Sequence, residues 1–191
     1  MAVVELTPGP NMGWLTALSA QRGRRVGFTA VVGITLGLAV QLLAAATGFS
    51  AFISKHAFVY DVLRWAGVCF MLYLAWEAWR ETGETSPGRA GEFEGFRRGF
   101  IANLLNPKAL VFYIAVVSQF AACGGTPGAG QILLLGSVHI GVSVLVHSGL
   151  VLLGAGLGET LAAYRRSLPA RAGFALMLAG VAIWLAFSTA R

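Results

Sequence analysis

The chain has 191 residues, of which 57% are hydrophobic and only 12% charged, with a net charge of +6. A soluble domain carries about 25% charged residues, so a solvated globular surface is excluded, and a mean hydropathy of +0.72 points to a polytopic membrane protein. The basic residues fall in short clusters between apolar runs, which is a pattern of membrane orientation rather than of nucleic-acid binding.

The start, Met1 to Glu5, lacks the basic n-region of a signal peptide and reads as retained. A first helix is expected near residues 2–20. It is interrupted by the stretch LTPGPN, in which Pro10 has no N–H to donate and its ring clashes with the preceding turn. Arg22, Arg24 and Arg25 follow, then an uncharged run from Val26 to Ser54 that supplies a second helix near 26–52. Within it, Gly33 and Gly37 form a small-xxx-small packing face. A third helix near 61–79 has Arg64 and Glu77 flanking its apolar middle. Tyr60 and Trp65, and Trp76 and Trp79, sit where interfacial aromatic belts fall.

The polar segment 80–98 is the only long linker and is expected to be cytoplasmic. A fourth helix near 99–123 is interrupted at Asn106-Pro107. The turn-rich run Gly124 to Gly130 ends it, and helices near 131–157 and 172–190 complete the chain. Cys69 and Cys123 form no CxxC and read as small apolar helix residues. The expected fold is an all-α membrane protein, a single transmembrane domain of six helices over 1–191. Interruptions at matching positions of helices 1 and 4 point to a 3+3 inverted repeat whose broken helices frame a site near the midplane. Ten of the fourteen basic residues lie in the first, third and fifth connections. By the positive-inside rule these are cytoplasmic and both termini face outward.

Four groups of residues stand out chemically. Ala109 to Cys123 is too short to span at about 1.5 Å per residue, so helix 4 must begin upstream and carry Lys108 below the interface. There it either serves function or snorkels to the headgroups. Asn11, Asn103 and Asn106 beside the breaks can donate and accept toward an amino or carboxylate group, or repair the broken backbone; Thr7 is a weaker candidate. His139, Ser143 and His147 recur at four-residue spacing as one polar stripe, able to shuttle protons or to bond between helices. Glu77, near Arg80 and Glu81, marks the inner interface and is a third proton-coupling candidate. His139, His147 and Asp61 are conceivable metal ligands, although their spacing makes no ligand set. No nucleophile–base pair or phosphate loop suggests an enzyme, and no cofactor is expected.

The motifs LTPGPN, RGRRVGFTAVVGITLG, LRWAGVCFMLYLAW and FRRGFIANLLNPKALVFY together resemble the LysE/RhtB-type exporters over nearly the whole chain. The resemblance implies a multi-pass protein of the bacterial inner membrane that exports amino acids or close derivatives, driven by the proton motive force. It carries over Pro8, Gly9, Pro10, Asn11, Asn106, Pro107 and Lys108 as substrate-site positions, and aligns Arg64 with a basic position before the helix-3 glycine. A homo-oligomer is left open. Only Met1 to Leu6 precede the TPGP motif, fewer apolar residues than in the family. The other readings are a metal-ion exporter and a transmembrane thiol–disulfide carrier, though the latter would need thiolates where this chain has asparagines.

Overall fold

In the computed structural model the described residues are Glu5, 10–48, 56–80, 88–106, 109, 112–113, 129–160 and 167–188. Five helices contain most of them: α1 Pro10–Ala46, α2 Ala57–Arg80, α3 Arg89–Leu104, α4 Ala129–Thr160 and α5 Leu168–Ser188. No strand occurs among the described residues. Asn11–Ala46, Ala57–Arg80 and Ala129–Gly158 are each apolar and long enough to cross a bilayer. Large apolar side chains such as Phe58, Leu145 and Phe187 stand exposed on the helix surfaces, which suits a solvent of lipid tails.

α1 is not one rod. A straight helix of its length would reach about 55 Å, well beyond the roughly 30 Å hydrocarbon core. Gly23 breaks it with φ 83° and ψ 179°, a left-handed backbone that only a residue without Cβ adopts freely. The two arms, 10–22 and 24–46, fold back on each other. A methyl at Gly27 would strike the Ser19 hydroxyl as well as Val151, although the two positions lie two turns apart in sequence.

Close backbone approach holds the rest of the core. Along the second arm and α3, methyl groups at Gly33, Gly95 and Gly99 would run into the carbonyls of Phe96, Val26 and Ala30, respectively. These pairings advance together along both helices, so the second arm and α3 run parallel. The first arm runs parallel to α4 in the same manner, with Gly154 against the Thr16 carbonyl and Gly158 against that of Ala20. Without side chains at these points the helices approach closely enough for dense packing between apolar surfaces. α2 packs chiefly on α5. There the Arg64 guanidinium donates to the carbonyl of Ala186, one of the last-turn carbonyls a helix leaves unpaired.

α3 begins at Arg89, inside the stretch read from sequence as a polar linker. Its charged residues suit a helix surface, because Glu94 and Arg98 stand one turn apart and pair. Buried Arg98 also pairs with Glu77 of α2, and Arg22, beside the α1 bend, holds Glu94 at 2.7 Å. Burial pushes the Glu94 carboxyl up, but the Arg22 hydrogen bond and the charges of Arg98 and Arg22 outweigh it and hold the group below its usual value. Three elements are thereby tied together at one end of the bundle, where the Arg22–Arg25 and Arg97–Arg98 clusters meet.

Candidate functional site

α3 stops at Leu104 for a local reason. Pro107 disfavours helical backbone at the residue before it, and the chain closes instead with Leu105 N–H on the Ile101 carbonyl and Asn106 N–H on that of Asn103, both at 3.0 Å. Ala109, Phe112 and Tyr113 beyond the break are again helical. A helix end inside apolar surroundings must find donors for its last carbonyls. Gln41, buried on the second arm of α1, supplies them: its Nε2 donates to Asn103 O at 3.2 Å and Leu104 O at 3.3 Å.

The start of α1 meets this broken end. Asn11 Nδ2 donates to Asn103 Oδ1 at 2.8 Å, joining residues 92 positions apart, and both side chains are buried. Asn11 Oδ1 and Asn103 Nδ2 find no partner among the described residues. The amide pair therefore offers an acceptor and a donor in a buried place, where an unmet polar group costs about 1–3 kcal/mol. Asn103 can sit here because position 37 is glycine: a Cβ there would stand 3.0 Å from Asn103 Nδ2 and 3.1 Å from its Cβ.

Both asparagines, with Asn106, line one cavity whose opposite wall carries the α4 stripe of His139, Ser143 and His147. His147 Nδ1 lies 2.8 Å from Ser143 O and 3.0 Å from Ser143 Oγ, so its Nδ1–H is donated back along the helix. His139, 1% exposed, stacks on Phe112 with ring centroids 4.0 Å apart and meets Tyr113 edge-on at 5.7 Å. Glu5 completes the wall, with Oε1 3.1 Å from His139 Nε2 and Oε2 4.0 Å from His147 Nδ1. The cavity encloses about 30 Å³, enough for one or two waters.

Of the positions expected from sequence, Asn11, Asn103, Asn106, His139 and His147 converge on this cavity. Glu77 does not; it lies on Arg98 at the basic end. Asp61 stands 3.7 Å from Arg64 on the exposed side of α2, apart from both histidines. No group of three His, Cys, Asp or Glu placed to hold a metal ion occurs among the described residues. Pro8, Gly9, Pro107, Lys108, Thr7 and Cys123 lie outside the described residues, as does the side chain of Pro10. Sequence reasoning passed over Glu5 and Gln41. Both were detectable, because Glu5 is the only charged residue before Arg22 and Gln41 is a lone amide in an otherwise apolar run.

A bundle of apolar helices, broken where polar side chains gather round a buried cavity, is the architecture of a membrane transporter. The chain belongs to the LysE type translocator family, whose family model matches residues 2–189. An uncharacterized membrane protein of Pseudomonas aeruginosa is 30% identical over 97% of this chain and 91% of its own length. The homoserine/homoserine lactone efflux protein of Salmonella typhi is 26% identical, covering 77% of this chain and 73% of that protein. The leucine efflux protein of Enterobacter sp. (strain 638) is 27% identical, covering 80% and 74%. No solved structure matches the chain.

Proposed function

We propose that this protein exports amino acids or close derivatives across the bacterial inner membrane, powered by the proton motive force. One observation carries the substrate reading: the Asn11–Asn103 pair, between the start of α1 and the broken end of α3, leaves a buried acceptor and a buried donor unmet among the described residues. The amino and carboxylate groups of an amino acid supply the complementary donor and acceptors. The efflux of homoserine, homoserine lactone and leucine named for relatives fits a site that recognises this shared backbone and leaves the side chain loosely read.

In this reading six helices form a 3+3 inverted repeat with both termini on the outer face and the basic end in the cytoplasm. The parallel run of the second α1 arm and α3, with Arg22 beside Glu94, supports that orientation. Pro8, Gly9, Pro10 and Pro107 belong to the substrate site in this reading, as residue types that interrupt helices and can free N–H groups for a substrate carboxylate. Lys108 adds a cation near it. His139 and His147 carry the coupled proton. A cavity of about 30 Å³ is too small for an amino acid, so entry requires the helices to part, as alternating access does.

Cells fed dipeptides and assayed for release of each amino acid test this reading. The expected result is gene-dependent release of a small neutral amino acid, lost in Lys108→Met and Asn103→Leu at normal protein abundance. Unchanged release of every amino acid with and without the gene would overturn it. A reporter active only in the cytoplasm, fused at the C terminus, should stay silent.

A further inference from the structure

The cavity has one carboxylate among its described lining residues, Glu5. Its two oxygens point at two histidines of one helix, Oε1 at His139 Nε2 and Oε2 toward His147 Nδ1. A carboxylate facing two imidazoles in an apolar surround carries charge comfortably only when a counter-charge is close. Two sources of that counter-charge bear on transport. One is a proton on His139, whose imidazolium then pairs with Glu5. The other is the ammonium of an amino acid.

We propose that Glu5, held against His139 and His147, is the single group for which the transported proton and the substrate ammonium compete; the substrate half of this rests on the export reading above. The exchange balances in charge and atoms. In the proton-loaded state an imidazolium at His139 faces the Glu5 carboxylate. An arriving ammonium takes the carboxylate, the imidazolium gives its proton to water, and neutral His139 is left stacked on Phe112. Release of substrate on the other face lets a proton return. The pair titrates as a unit, so its proton affinity belongs to both residues.

Three features make the pair suited to this task. Ser143 fixes the His147 ring through its Nδ1, so that imidazole is oriented before any ligand arrives. Phe112 and Tyr113 enclose His139 and keep its charge state dependent on Glu5 rather than on bulk water. Asn11 and Asn103 line the same cavity as Glu5, so their unmet amide atoms and the carboxylate border one space. Among the described residues, the titratable groups shown facing Glu5 are His139 and His147 from α4, with Tyr113 beyond the α3 break adjoining His139. The liners from α1, α3 and the break after it, namely Asn11, Met12, Leu38, Asn103 and Asn106, do not titrate, and Lys108 lies outside the described residues.

The proton half is tested without any substrate, by infrared difference titration of the full chain in lipid. The Glu5 carboxylate stretch should shift as its His139 partner gains or loses a proton; that pH-dependent shift should vanish in Glu5→Gln, and its midpoint should move by about one pH unit or more in His139→Gln. Identical titrations of wild type and Glu5→Gln would overturn the proposal, as would a midpoint indifferent to His139→Gln. Should Glu5→Gln fail to accumulate, the His139→Gln shift decides alone. The competition half is tested by adding leucine, then homoserine, to wild-type protein in weakly buffered detergent. Binding should release protons, less so as pH rises past the midpoint, and binding without proton release would overturn the competition. If neither compound binds, the substrate reading fails, while the infrared result still decides whether the Glu5–His139 pair holds the proton.

Discussion

At the basic end of the bundle, buried Arg98 lies between the carboxylates of Glu77 and Glu94, and Arg22 secures Glu94 from a third element. In the cavity, Glu5 faces two histidines and a pair of asparagines with one acceptor and one donor unmet. Both clusters join residues distant in sequence, yet they handle charge differently. The first uses permanent cations, so its charges are neutralised at any physiological pH and its role is to hold helices together. The second holds imidazoles, which can gain or lose a proton, and amide atoms unmet among the described residues. Stability should therefore depend mainly on the basic end, and transport mainly on the cavity.

The sharpest way to break that division is Arg98→Leu. The change leaves the Glu77 carboxylate without its cation while Glu94 keeps Arg22, and breaking a buried ion pair costs about 3–5 kcal/mol. Glu77 and Glu94 are about one-quarter exposed, so the lower figure is the appropriate one. The expected outcome is a markedly lower unfolding temperature in detergent and reduced abundance in membranes. A variant as stable as wild type would show that the network is incidental to the fold.

A second comparison sets glycine against glycine. A methyl at Gly99 would overlap the carbonyl of Ala30, whereas one at Gly141 meets nothing. Gly99→Ala should cost about 1–3 kcal/mol by forcing the second α1 arm from α3. Gly141→Ala should be neutral or slightly stabilising, since alanine favours helix. Thermal unfolding of the two variants side by side measures the difference, and equal midpoints would contradict the close packing.

The same contrast between local and distant contacts explains which features could be read from sequence. The helix break at Asn106-Pro107 follows from a backbone rule confined to adjacent residues, and the His139/Ser143/His147 face from helical periodicity. The partners of those residues were not legible. Nothing local says that Asn11 meets Asn103 rather than Asn106, or that Glu77 faces an arginine 21 positions on. Glu5 was hidden differently: its isolation in an apolar stretch was visible, but its value depends on two histidines more than 130 positions away. The charged start of α3 read as linker because polarity alone does not separate a solvated loop from a helix whose charges pair across a bundle.

Within the cavity, Asn103→Leu should separate function from stability. It removes the bond to Asn11 and the free donor at once, and the expected loss is about 1.4 kcal/mol in substrate affinity, roughly tenfold. Asn11→Leu should behave alike, and the double variant should lose less than the sum, because the two side chains bond to each other and line one cavity. Export rates at matched abundance give the comparison. Strictly additive losses that follow protein abundance would mean that the asparagines only repair backbone.

The smallest effect is expected at Glu94, where the two regions differ in their response to acid. Its carboxyl titrates lower in the folded protein than its ordinary 4.5. The unfolded chain thus binds a proton first on acidification, and the contribution to stability is complete above the ordinary value. It fades as pH falls through the folded value, once the carboxylate facing Arg22 and Arg98 is neutralised. The side chain is 25% exposed, so solvent screening keeps the contribution below about 1 kcal/mol. Glu94→Gln should lower the unfolding temperature slightly near neutrality and flatten the acid limb of the stability curve, with the two proteins converging at low pH. Raising the salt concentration should narrow the gap further. Glu5→Gln should leave that acid limb in place while it abolishes coupled export. If instead Glu5→Gln flattened the limb and Glu94→Gln did not, the assignment of stability to the basic end and of proton chemistry to the cavity would have to be reversed.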